Sequence, residues 1–326
     1  MTGLERVRAV LDRGLPDRVP RALYDVAIGT YNESTLDLFQ ERMGRHPRDC
    51  FQHDVRSVDL PRREMDGDWQ KRMGGVSSPD EVRDLMTPWR PTRADLDTLK
   101  GQVDAVHASG HAAMAIGWAS DFETPFGLRG REQFFVDLAL REDWLGPFLE
   151  AVADAASEDG RVAAAAGSDI FGIGDDLGSQ RGLLISPTLW RELFKPRLKR
   201  IISAVKQVNR STSFFLHTDG LVTELIPDFI DVGVDILNPI QPEVMDPAQI
   251  KVEYGNDLIF FGAISVQHTL PLGTPQDVWD EVKLRMETIG AGGGYVMTPS
   301  HMINPDIPWE NIVAFFEAAD EFGGYA

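Results

Sequence analysis

One cysteine in 326 residues, Cys50, excludes an internal disulfide framework and any cysteine-cluster metal site. Long apolar runs are missing as well. Nothing approaches the roughly 20 residues that a membrane helix needs, and the opening Met1-Thr2-Gly3-Leu4-Glu5-Arg6 lacks the apolar core of a secretory leader. Both absences lead us to expect a reduced, cytoplasmic setting. Positive charge is scarce: 32 Lys and Arg face 51 Asp and Glu, a formal net charge of −19. Nucleic acid and anionic membranes demand a basic face, so neither is an expected partner. A polyanionic substrate is disfavoured for the same reason, unless a few arginines are focused locally. Short repeats and low-complexity tracts are absent too.

What is present is a run of short apolar segments, each ending on polar residues. Ser213-Phe214-Phe215-Leu216 runs into His217-Thr218-Asp219-Gly220, and Asp235-Ile236-Leu237 into Asn238-Pro239-Ile240-Gln241-Pro242. Leu258–Phe261 runs into Gly262-Ala263-Ile264-Ser265, and Gly294–Met297 into Thr298-Pro299-Ser300-His301. Buried parallel strands read in this way, and in parallel α/β folds the active site lies at their carboxyl ends. Four earlier segments, Val19–Tyr24, Phe51–Val58, Ala112–Trp118 and Ile170–Gly174, bring the expected strands to eight. Helices are expected between them. Thr2-Gly3-Leu4-Glu5 matches a capping box and opens a helix to about Arg13. Ser186-Pro187 starts a long one to about Val208, with proline at the first helical position. Residues 60 to 78 read as a long excursion. Alternation of eight strands with helices predicts a (β/α)8 TIM barrel, formed as a single domain over residues 1–326.

Three stretches together resemble the uroporphyrinogen decarboxylase (URO-D)-like superfamily. They are Gly174-Asp175-Asp176-Leu177-Gly178-Ser179-Gln180; His217-Thr218-Asp219-Gly220 with Asn238-Pro239-Ile240-Gln241-Pro242; and Gly292-Gly293-Gly294-Tyr295 with Pro299-Ser300-His301. The opening Asp17-Arg18-Val19-Pro20 fits the same pattern, so the resemblance covers nearly the whole chain. It implies a (β/α)8 barrel and one of two chemistries. The first is cofactor-free decarboxylation of a tetrapyrrole's acetate arms. The second is zinc-dependent methyl transfer between a corrinoid and a thiol, with relatives serving O-demethylation. The decarboxylase pattern places an arginine-rich loop after the first strand, where this chain reads Ala22-Leu23-Tyr24-Asp25-Val26-Ala27-Ile28-Gly29 without arginine. In the zinc branch a His-x-Cys pair and a late cysteine hold the metal. The matching positions here are His217, Asp219 and His301. Two imidazoles and a carboxylate with an open position are an ordinary catalytic zinc set, less thiophilic than a thiolate site.

Each candidate has a plainer reading beside it. A lone His-x-Asp is more often a hydrogen-bonded structural pair, and His217, Asp219 and His301 could also serve as acid/base groups without metal. One of Asp175 and Asp176 would cap the turn that follows, and the other, Asp176 for preference, would face the mouth. Gln241 would hold a substrate oxygen or brace its loop. Asp121 and Glu123 lie in a loop where exposed acids are common, yet near enough to the mouth to act as ligand or base. Tyr24 and Asp25 occupy the place of the decarboxylase clamp and so are expected to line the pocket. The glycines of Ala291-Gly292-Gly293-Gly294 precede a strand, which excludes a phosphate-cradling loop.

The resulting expectation is an enzyme for metal-assisted methyl or related group transfer. His217, Asp219 and His301 would hold zinc, with Asp176 completing the catalytic set and Gln241, Asp175, Tyr24, Asp25 and Asp121 around the substrate. The resemblance implies a corrinoid protein as partner and a homodimer as assembly. Two other expectations stand beside it, a metal-free decarboxylase and a barrel that binds a tetrapyrrole or corrinoid without catalysis.

Overall fold

The computed structural model of the chain describes residues 1–60, 75–76, 78–86, 92–117 and 119–325. Most of the expected excursion at 60–78, and Trp118 at the end of the expected third strand, lie outside the described residues. Seven parallel strands form one curled sheet: β1 (Val55–Val58), β2 (Ala112–Ile116), β3 (Ile170–Gly174), β4 (Ser213–His217), β5 (Ile236–Asn238), β6 (Ile259–Ile264) and β7 (Tyr295–Pro299). Spatial order equals chain order. Each strand therefore lies beside its successor, and every polar tip comes out on the same side of the sheet.

Both faces of the sheet are covered, as the unbroken apolar runs require. Phe171, Phe214, Leu216, Leu237, Phe260, Tyr295 and Met297 belong to the larger core, which also takes in the surrounding helices. Alternate residues Ile170, Phe215, Ile236, Ile259, Phe261 and Val296 form a second, inner cluster with Val7 and Val10 of the helix Gly3–Leu11. Residues two apart on a strand share a face. His217 and Asn238 thus follow Phe215 and Ile236 on the inner face.

The expected first strand, Val19–Tyr24, is not a strand of the sheet. Arg21 makes an isolated parallel bridge to Met297, and Tyr24 already opens the short helix Tyr24–Ile28. The reason is local: Pro20 has no N–H to donate to a ladder. The segment is nevertheless hydrogen-bonded at both edges of the sheet. Met297 N–H donates to Pro20 O at 2.8 Å and Ala22 N–H to Met297 O at 3.2 Å, while Asp54 N–H donates to Arg21 O at 2.8 Å. The other strands fall where expected within a few residues.

The capping box at Thr2 forms: Glu5 N–H donates to Thr2 Oγ1 at 3.2 Å and Thr2 N–H to Glu5 Oε2 at 2.7 Å. The long helix expected from Ser186 is instead two, Pro187–Leu193 and Lys195–Val208. Pro196 cannot donate to the carbonyl four residues back and its ring would clash there, so the helix breaks at the fully buried Phe194. A small hairpin, Gly178–Ser179 against Gly182–Leu183, stands over the end of β3. Among the described residues no helix is long and apolar enough to cross a membrane.

Candidate active site

The register of the sheet builds the site. Gly174 on β3, His217 on β4 and Asn238 on β5 are lateral partners at the ends of their strands. Asn238 Nδ2 donates to Phe261 O at 2.9 Å, which turns its Oδ1 toward His217 Nδ1 at 2.6 Å. An amide oxygen only accepts, so this network assigns a proton to Nδ1, and in the neutral tautomer with that proton the lone pair is on Nε2. The Tyr24 hydroxyl lies 2.8 Å from the same Nδ1. It reaches the site from the short helix Tyr24–Ile28, and its ring also lies 5.4 Å from that of His301. Burial first, and then Asp219 and Asp176, hold the Tyr24 phenol well above its ordinary range, so it stays protonated.

Around the free Nε2 are carboxylates. Asp176 Oδ1 lies 3.6 Å away and Asp219 Oδ1 3.9 Å away. Asp176 Oδ1 also accepts the Asp219 backbone N–H at 2.8 Å, tying the two loops together. His217, Asp219 and His301 each offer one ligand atom, and these atoms lie within 4.8 Å of one another. Tetrahedral bonds of about 2.1 Å place neighbouring ligand atoms about 3.4 Å apart, so modest side-chain rotation brings the three onto one ion. Burial, followed by the neighbouring His217, lowers the His301 pKa and favours its neutral, ligating form. Burial likewise raises Asp219, against the pull of His217. The donor set fits a divalent zinc-like ion: two imidazoles, one of them fixed by a hydrogen bond at its other nitrogen, and a carboxylate.

The remaining candidates occupy distinct places. Gln241 is buried, and its Oε1 accepts Gly220 N–H at 2.9 Å, bracing the loop that carries Asp219. Asp175 points away from the imidazoles. Its Oδ1 accepts the N–H groups of Phe122 and Glu123 at 3.0 and 2.8 Å and so heads the helix Glu123–Arg129. Asp121 is buried against Asp175, and burial first, then that neighbour, raises its pKa far above the carboxylate range. Asp25 Oδ2 accepts Ile303 N–H at 2.9 Å, holding the loop after His301, and burial pushes its carboxyl up to about 7.

Two residues of the site escaped the sequence reading in these roles. Asn238 was visible as a polar strand tip, but only the β4–β5 register sets it on His217. Glu123 reads in sequence as a loop acid; the structure half-buries it beside Asp176. Burial first, then Asp176, Asp175 and Asp219, push its carboxyl up to about 8, so it carries a proton at neutral pH.

Such a fold and site describe a family of enzymes with one polar mouth. Residues 93–322 match the uroporphyrinogen decarboxylase (URO-D) family. The chain belongs to that family. Among its relatives is a methylcobamide:CoM methyltransferase MtaA of Methanosarcina barkeri, 31% identical over 157 residues, 48% of this chain and 43% of that one. A uroporphyrinogen decarboxylase of Trichodesmium erythraeum is 26% identical over 182 residues, 55% of this chain and 48% of its own length. The matches thus span about half the length of these curated relatives. A solved methyltransferase from Methanosarcina mazei shares the fold over 99% of both chains, with a TM-score of 0.68 and 20% identity.

Proposed function

We propose that the chain is a metal-assisted methyltransferase acting on a small molecule, with a corrinoid protein as the partner that exchanges the methyl group. The observation that carries this reading is the free Nε2 of His217 set beside Asp219 and His301. Methyltransferase relatives support it. His217, Asp219 and His301 would hold zinc, which supplies a Lewis acid at an open position. Asn238 and Tyr24 orient the His217 ring. Asp176 sits where it can accept a hydrogen bond from the substrate, and Glu123 where it can donate one. In the same reading the Arg18–Leu23 segment serves as the eighth stave of a (β/α)8 barrel, whose mouth receives the partner.

A metal-free decarboxylase is the second reading, favoured by the protonated Glu123 carboxyl beside Asp176 and by the decarboxylase relative. Elemental analysis of untagged protein beside His217→Ala separates the two. About one zinc per chain, lost in the variant, is the expected result. Absence of metal from both proteins after incubation with zinc would sink the first reading and leave acid/base chemistry.

A further inference from the structure

Away from the mouth, a groove of about 340 Å³ runs along the edge strand β1, between the helix Arg93–Ala108 and the single turn Pro47–Asp49. Val55 packs in the inner cluster, so Arg56 and Val58 belong to the two faces in alternation, with Val58 in the outer core and Arg56 beside it in the groove. The Arg56 guanidinium makes few bonds. Its Nη2 donates to Arg48 O at 3.2 Å and stands 3.9 Å from Asp49 Oδ1, while its Nε is buried with no partner among the described residues. Arg48 lines the same groove from the turn, with an exposed side chain. Neighbouring groups register the two cations. Burial lowers the His111 pKa and Arg56 lowers it further; burial pushes the Tyr31 phenol up to about 12 against the pull of Arg48. The opposing carboxylates, Asp49 and Asp59, are both exposed to water, where a charge acts weakly. Gln102 closes one end, its Oε1 accepting Asp59 N–H at 2.8 Å, and Val58, Ala105 and Val106 supply an apolar floor.

We propose that this groove is an anion site, separate from the mouth, that takes a phosphate group carried on a small organic alcohol. Each part of such a ligand meets a matching surface. Guanidinium forks match the oxygens of phosphate, and a tetrahedral dianion has enough of them to engage Arg48 and Arg56 together. A buried N–H without an acceptor is costly, and a phosphate oxygen at Arg56 Nε would remove that cost. The volume lies at the lower end of the usual range for small-molecule sites, about 300–1,000 Å³, which leaves room beside the phosphate for a short carbon chain over Val58, Ala105 and Val106. Paired arginines facing one groove are also notable in a chain whose formal net charge is −19. The inference is independent of the metal-assisted reading, because none of these residues stands at the mouth.

Isothermal titration of the full chain with glycerol 3-phosphate, at constant ionic strength, tests it. Saturable binding is expected, with Arg48→Ala and Arg56→Gln each weakening it about tenfold. Arg48 is exposed, so its removal leaves the fold intact even if the Arg56 variant does not fold. Ala105→Glu places a carboxylate at an exposed lining position and should abolish binding while the far-ultraviolet spectrum stays that of the parent. His217→Ala should bind as the parent does, since the mouth takes no part. Butanoate, which has the carbon chain and a single charge, should bind about tenfold more weakly. Inorganic phosphate should also bind more weakly than the ester. Equal or tighter binding of inorganic phosphate would overturn the organic carrier in favour of the free ion, and equal binding of butanoate would overturn the phosphate assignment. No saturation at millimolar ligand, affinity untouched by both Arg48→Ala and Ala105→Glu, or binding lost in His217→Ala would overturn the site itself.

Discussion

Asn238 Oδ1 lies 2.6 Å from His217 Nδ1 across the paired ends of β5 and β4, and the Asn238 amide is held in turn by Phe261 O at 2.9 Å. The orientation of the imidazole is therefore set by a strand neighbour and by the next strand behind it. Asn238→Ala should lower zinc affinity about 10–100-fold, the usual loss when the partner of a ligating histidine is removed. Competition with a chromophoric chelator measures it. Unchanged affinity would mean that the Tyr24 hydroxyl alone orients the ring.

Metal binding should also be legible in stability. Free zinc at about 100 times its dissociation constant stabilises a one-site protein by about 2.7 kcal/mol. Calorimetric melting of the parent should shift upward with zinc and downward with a chelator. In Asp219→Ala and His301→Ala the zinc-dependent shift should vanish. A shift of parental size in both variants would place the ion elsewhere.

Asp25 gives a pH dependence with a definite sign. Its carboxyl titrates near 7 in the folded chain against an ordinary 3.8, because it is buried. Folded protein therefore holds a proton that unfolded protein has released, and this contribution to stability is lost as pH rises through that window. Asp25→Asn keeps an oxygen for Ile303 N–H and cannot ionise. The variant should lose less stability than the parent between about pH 4 and pH 7. Urea midpoints at several pH values read the difference, and parallel curves would remove Asp25 as a cause.

Gly178 meets backbone, not side chains. A Cβ there would lie 2.6 Å from Asp219 O and 2.9 Å from Leu221 N. Nothing flexible can give way, so Gly178→Ala should cost about 1–3 kcal/mol, the usual range for overpacking. It should also push the Asp219 loop outward and reduce zinc binding. Thermal melting and metal content together check this; a neutral substitution would show that the hairpin is not seated as described.

The amino-acid sequence by itself determined where the strands run and where they stop. Ile170–Gly174 and Ser213–His217 are legible because a strand covered on both faces must be apolar throughout, so the first polar residues mark its end. His217, Asp219 and His301 follow from that rule and from the family resemblance. Only the tertiary structure decided how those tips face one another. Asn238 meets His217 through the β4–β5 register, a property of two chain segments that neither encodes alone. Tyr24 arrives from a segment 193 positions earlier in the chain. The local pattern there suggested a strand, but Pro20 limits it to isolated bridges. Glu123 looked like any loop acid. Its proton is a consequence of burial and of three other carboxylates nearby, which no reading of its own neighbours in sequence contains.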